Sequence, residues 1–440
     1  MRLTAKQKKY FITAIFFIII ITINYDINPY PMDGYAYTGI HRLERLRFIS
    51  EKIIDGTPLP SGGLKKTNDI ALNLLDSKIE RVSDLIADPD LQKKIETLFS
   101  RKNLNYNFAV LDITPGREPR FASVNGDKKI APASVGKLAI AAGLFTELKT
   151  FFPDDIGGRQ NLLRSRIIKA DEWVMNNHHP VPIFDPDTKE YQSRPVKIGD
   201  TFTLYEWLDH MISASSNAAA SIVWKEVILM KAFGAEYPPS EETETKYFKE
   251  TPVEELKQIA VTVVNDPLRA MDIGENEWKL GTFFTSTGNK IIPGEGSYAI
   301  PLAFLQFLVN IEKGRMVDEW SSLELKRMMY LTARRIRYVL SPELNDAAVY
   351  FKSGSQYKCK QEPGFTCIEY MGNVENYMNA AAIIEHPDGT TYMIALMSNI
   401  LKINSADDHT NIATRIDRII REQKIKPPVV KEVKTEGVQK

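Results

Sequence analysis

The sequence predicts an α+β protein, and three observations carry that reading. Strand-patterned segments gather at the two ends of the body, over 106–124 and 347–400. Helix-patterned segments lie between them, from Ser134 to Phe152, from Leu204 to Ile212 and from Ala218. At the head of that interval Leu138, Ile140, Ala141, Ala142, Leu144 and Phe145 leave almost no polar face, the mark of a helix inside a domain. The 440 residues carry 56 basic and 56 acidic side chains with 43% hydrophobic residues, enough for a sizeable core and one or two domains. Zero net charge gives no support for a nucleic-acid or polyanion partner.

Taken in order, residues 1–24 read as a targeting element. Arg2, Lys6, Lys8 and Lys9 precede an apolar run from Tyr10 to Ile23. The basic end stays in the cytoplasm and the chain beyond the run is exported, so an extracytoplasmic protein is expected. No small-x-small cleavage site follows the run, which favours an uncleaved signal anchor over a signal peptide. Residues 25–100 form a lead-in read as a small helical extension, with helical periodicity over Ile40–Ile54 and again from Asn68 to Leu98. The main domain is expected over 101–426. Beyond it, Pro427-Pro-Val-Val-Lys-Glu-Val-Lys lacks periodicity, and 427–440 reads as a disordered tail.

From Tyr106 the pattern turns to strands. Asn107-Phe-Ala-Val-Leu-Asp-Ile-Thr and Arg120-Phe-Ala-Ser-Val are joined at Pro115-Gly116. They lead into Ala131-Pro-Ala-Ser-Val-Gly-Lys-Leu, where Pro132 and Ser134 signal a helix start. Positions i and i+3 share a face, so the Lys137 amine can reach the Ser134 hydroxyl. That geometry suits a serine nucleophile with a lysine base. A phosphate-binding loop is rejected, because Ala131 stands where its first glycine belongs and Leu138 where its hydroxyl belongs. Ser-x-x-Lys is weak alone and recurs at Ser355–Lys358.

Residues 153–195 are polar and rich in proline, and His178-His179 there reads as surface loop. Neither a Glu-x-x-His partner nor a cysteine is near, so no metal site is expected. Further on, Thr203 and Glu206 make a capping box for a helix whose stripe is Leu204, Trp207, Leu208, Met211 and Ile212. That helix stops at Ser213–Asn217 and a new apolar one begins at Ala218. Ser215 and Asn217 could simply cap the second helix, or they could relay a proton and bind substrate. A third piece, Ala347-Ala-Val-Tyr-Phe-Lys-Ser-Gly-Ser, is a strand ending in Lys352-Ser353-Gly354-Ser355. Glycine in such a strand often marks the close approach of another backbone or a ligand. Asn379–Glu385 and Thr390–Met397 read as two more strands, and Asn411–Gln423 as the last helix, with His409 in the loop before it.

Ser134-x-x-Lys137 opening a helix, Ser215-Ser216-Asn217 between helices and Lys352-Ser353-Gly354 on a strand occur in this order. Together they resemble the penicillin-recognising serine hydrolases, in particular the class A β-lactamase family. The likeness covers about residues 104–425. It implies the β-lactamase/DD-peptidase-like fold: one antiparallel sheet with terminal helices, and an all-helical subdomain over 132–345. It also implies roles. Ser134 is acylated, Lys137 takes its proton, and Ser215 passes the proton to the leaving nitrogen. Asn217, Lys352, Ser353 and Gly354 bind substrate, while the backbone N–H groups of Ser134 and Ser355 form the oxyanion hole.

One departure bears on turnover. The family's Ω-loop pattern Glu-x-x-Leu-Asn is not found over Leu268–Tyr298, which offers only Asp272, Glu275, Glu277 and Glu295. Glu343 sits too late in the chain and reads as a decoy. The resemblance therefore implies an exported serine hydrolase opening β-lactams or D-Ala-D-Ala-type amides, with deacylation in doubt. A D,D-carboxypeptidase or endopeptidase on peptidoglycan stem peptides is an alternative, and a catalytically silent cell-wall-binding module another. No cofactor is expected. Cys359 and Cys367, in an exported chain, are expected to be bridged, contributing about 2–3 kcal/mol by the chain-entropy argument.

Overall fold

The computed structural model describes residues 32–102, 104–330 and 335–422. The expected anchor over 1–24 and tail over 427–440 lie outside the described residues. Five antiparallel strands form the main sheet. In spatial order they are Arg120–Val124, Tyr106–Asp112, Thr391–Asn399, Glu375–Glu385 and Ala348–Lys358. Both faces are covered, so the strands alternate between two cores rather than between core and water. Phe108, Val110, Ile384 and Ile394 pack on one side with the helices Pro89–Phe99 and Ala406–Arg421. Ala109, Leu111, Ile383 and Met393 face the other way, into the large core shared with the helical part.

At the centre of that helical part lies Lys137–Phe151, preceded by the 3-10 turn Ala133–Gly136. The helices Leu204–Ile212, Asn217–Phe233 and Val253–Ala270 surround it. The capping box forms as expected: the Glu206 N–H donates to Thr203 Oγ1 and the Thr203 N–H to Glu206 Oε2, each at 3.2 Å. Three short ribbons interrupt the helices of this part, Ile167–Lys169 with Thr201–Thr203, Pro180–Phe184 with Tyr191–Pro195, and Trp278–Lys279 with Tyr298–Ala299. The polar, proline-rich stretch 153–195 holds a helix, Ile156–Ser165, and a hairpin, with His178 and His179 just ahead of the hairpin.

The lead-in differs from expectation. His41–Ser50 and Pro89–Phe99 are helical, but 51–88 runs in extended segments and 3-10 turns. Its apolar side chains nevertheless do what periodicity promised. Ile40, Leu43, Ile70, Leu74, Ile79 and Val82 are buried in the same core as the helical part. Helical spacing was satisfied by contact with that core instead of by helix. A buried charged cluster ties the segment down. Lys326 Nζ reaches Glu312 Oε1 at 2.6 Å, Glu385 Oε1 at 2.7 Å and the Ala71 carbonyl at 2.6 Å. Asn73 Nδ2 donates to Glu385 Oε1 at 2.8 Å.

Two further expectations meet the structure differently. His409 lies inside the helix Ala406–Arg421, buried with Nε2 3.0 Å from Ser398 Oγ, rather than in a loop. The expected disulfide is present: Cys359 and Cys367 are bonded, with Cα atoms 6.1 Å apart, closing the loop after the strand Ala348–Lys358.

Candidate active site

The three motifs meet where the sheet edge touches the helical part. Ser134 sits in the 3-10 turn and Lys137 one turn on, which brings Lys137 Nζ to 3.0 Å from Ser134 Oγ. The turn is pinned from the sheet. Asn379 Nδ2 donates to the Ala131 and Pro132 carbonyls at 2.9 and 3.0 Å. Asn379 pairs in register with Gly354, and that glycine has a plain steric reason. A Cβ at 354 would lie 2.8 Å from the backbone nitrogen of Ser134 and 2.9 Å from that of Val135. The edge strand can pass beside the Ser134 N–H only without a side chain there.

The turn between the two helices supplies the second motif. Its cap is neither Ser215 nor Asn217 but Ser216, whose Oγ accepts the Ala219 N–H at 3.2 Å. Ser215 is left-handed, with φ +59°, and this turns it and Asn217 towards the lysines. Lys137 Nζ lies 2.6 Å from the Ser215 carbonyl oxygen and 2.7 Å from Asn217 Oδ1. Both partners can only accept. A neutral amine would spend its two hydrogens on them and aim its lone pair at the Ser134 hydroxyl. Lys352 Nζ completes the group, 2.7 Å from Ser215 Oγ and 2.9 Å from the Ser353 carbonyl.

Electrostatics favours that neutral amine. Lys137 is fully buried, and burial first, then the positive charge of Lys352, holds its pKa well below the ordinary lysine value. Lys352 is itself lowered to about 7, by burial and then by Arg337. Arg337 was not singled out in the sequence. It adopts φ +57° and donates to the Gly354 carbonyl at 3.3 Å and to Ser355 Oγ at 2.9 Å. Ser215 and Arg337 are both non-glycine residues with positive φ lining one cavity, and Ala133, next to Ser134, is a third, the kind of backbone strain that clusters at sites. No local sequence signal marks such angles. Asn379 carried a faint one, a lone amide in an apolar strand.

The cavity measures about 280 Å³ and opens beside Ser134. Ser215, Arg337, Lys352, Ser353, Gly354 and Ser355 line it, and so do Arg42 and Arg45 of the lead-in and Tyr191 of the hairpin. His179 also lines it, so the second of the two adjacent histidines faces the cleft. The Ω-loop region brings no carboxylate to Lys137 among the described residues. The Phe284 ring lies there, its centroid 4.7 Å from Nζ. Glu277 turns inward to accept the Gly274 N–H at 2.5 Å, and Glu295 pairs with Lys279 at 3.0 Å. Glu343 pairs with Arg418 at 2.6 Å on the surface.

The model of the β-lactamase enzyme family matches residues 90–423. The chain belongs to that family. It is accordingly a serine hydrolase of the acyl-transfer kind, and the matched span includes most of the helix Pro89–Phe99. No curated protein matches the sequence. Solved structures share its fold at low identity. A class A β-lactamase from Bacteroides cellulosilyticus is 18% identical, with 76% of this chain and 96% of that one covered and a TM-score of 0.50. A β-lactamase from Chitinophaga pinensis gives 18%, 76%, 99% and 0.48, and PBP-A gives 14%, 77%, 96% and 0.47.

Proposed function

We propose that this β-lactamase-family hydrolase works outside the cytoplasm, held by its N-terminal segment, and is acylated at Ser134 by β-lactams or D-Ala-D-Ala-type amides. The observation carrying this is the buried Lys137 amine, 3.0 Å from the Ser134 hydroxyl with both its hydrogens engaged elsewhere. Lys137 takes the hydroxyl proton as Ser134 Oγ bonds to the carbonyl carbon. The C–N bond breaks, and Ser215 hands a proton to the leaving nitrogen, resupplied from Lys137. Backbone N–H groups of Ser134 and Ser355 stabilise the oxyanion, and losing one such donor costs about 3–4 kcal/mol. Lys352, Ser353, Arg337 and the Asn217 amide hold the substrate's carboxylate and amide.

Hydrolysis of the acyl-enzyme is the slow half. Among the described residues no carboxylate lines the cavity, and an aromatic ring stands against Lys137. That favours a D,D-peptidase-like or penicillin-trapping enzyme over a rapid β-lactamase. Intact-mass analysis after incubation with benzylpenicillin tests the reading. A persistent adduct of one penicillin, absent in Ser134→Ala, is expected. Rapid release of penicilloate would instead make it an efficient β-lactamase, and neither adduct nor turnover would leave a silent binding module.

A further inference from the structure

The cavity does not end at the reacting atoms. It continues past Ser215, Lys352 and Arg337, the side on which the proposed function places the substrate's carboxylate and leaving nitrogen, to a wall built by the helix His41–Ser50 and the hairpin at Tyr191. Phe284 lies outside it, in a separate cavity with Ala131, Pro132 and Ala133. The far wall is cationic. Arg42, Arg45, Arg337 and Lys352 line the cleft, and among the described residues none that lines it is acidic.

These cations are not equivalent. Arg42 is bound through Nε and Nη2 to the Asp209 carboxylate at 2.5 and 2.6 Å, so its charge is neutralised inside the fold. Arg45, three residues on and on the same helical face, has no carboxylate partner among the described residues. Its guanidinium carbon sits 3.8 Å from the centroid of the Tyr191 ring, and its Nε–H is buried without an acceptor. On the opposite face Glu44 and Glu51 are both taken by Arg47, at 2.5 and 2.7 Å. A planar cation that lines the cleft, clamped on an aromatic ring and not paired with a carboxylate of the fold among the described residues, is prepared for a carboxylate of the ligand.

We infer that Arg45, held by Tyr191, forms a subsite for a second anionic group on the leaving-group side of the substrate, a carboxylate carried by the residue that is released. This rests on the orientation in the proposed function and narrows its substrate class to acyl donors whose leaving portion bears more than its terminal carboxylate. Arg45 is a specificity residue here and touches none of the reacting atoms.

Two peptides isolate the charge: diacetyl-L-Lys-D-Ala-D-Glu and its neutral isostere ending in D-Gln. Their affinities would be measured by calorimetry on the full chain in detergent, in the non-acylating Ser134→Ala background. The D-Glu peptide should bind about five- to tenfold tighter, with the preference shrinking as salt rises. Arg45→Ala should erase the preference while leaving D-Gln affinity within about twofold, and Arg45→Lys should keep part of it. Equal affinities in the parent, a preference that survives Arg45→Ala, or no binding of either peptide would each overturn the subsite. The wild-type penicillin adduct is scored separately: its absence removes the proposed function even if Ser134→Ala still discriminates, and its presence beside equal affinities removes the subsite alone.

Discussion

Protonation of two lysines a few ångströms apart sets what this site can do. In the proposed mechanism Lys137 is a base that burial and Lys352 keep neutral, and Lys352 a carboxylate binder that works only when charged. Because Lys352 titrates at about 7, acylation by penicillin should fall as pH rises through that value, a loss of the charged form rather than of the base. Arg337→Ala removes the cation that helps depress Lys352, so the alkaline limb should move to higher pH. A limb that stays put in the pH profile of the acylation rate would assign it to another group. Lys137→Ala should slow acylation about 10²–10⁴-fold at any pH, measured as the rate of adduct formation. At this scale the sequence was informative where chemistry lies in side-chain identity and spacing, as at Ser134, Lys137 and Lys352. It was silent on Arg337, whose contribution comes from a left-handed backbone angle and a neighbour 17 positions away.

Elements are positioned by contacts that tolerate little change. The strand Ala348–Lys358 lies so close to the Ser134 turn that Gly354→Ala must push backbone from backbone. Such a protein should stay folded, its circular dichroism near native, yet lose the penicillin adduct because the Ser134 N–H is displaced. The lead-in shows the limit of pattern reading. Ile70 and Leu74 have the spacing of a helix, but they are buried from an extended segment laid over ready-made helices, and apolar spacing alone cannot distinguish the two. That segment is fastened by Lys326, which answers both Glu312 and Glu385, and by Lys65, which also reaches Glu385. Lys326→Ala would leave Glu312 without a cation while Glu385 keeps Lys65, at a cost of about 3–5 kcal/mol read from urea unfolding. Protease cleavage within 60–86 should become faster in the same variant, since the Ala71 carbonyl loses its donor as well.

For the molecule as a whole, the order of three short motifs was enough to place sheet, helical part and cleft. What it could not supply was the balance of the two half-reactions. The absence of the Ω-loop pattern showed that a glutamate was missing, but not that a phenylalanine would stand against the lysine. Stopped-flow measurement with a chromogenic cephalosporin should therefore show a burst of about one equivalent per enzyme, followed by a much slower steady rate. A linear trace without a burst would make acylation the slow step.

The helix His41–Ser50 precedes the family-matched span at 90–423, yet it closes the cleft. Under the proposed roles, part of what admits a substrate is therefore written ahead of the span that carries the reaction chemistry. Substitutions ahead of position 60 can redraw which molecules enter without disturbing the atoms that react, so closely related enzymes sharing every motif could differ completely in diet.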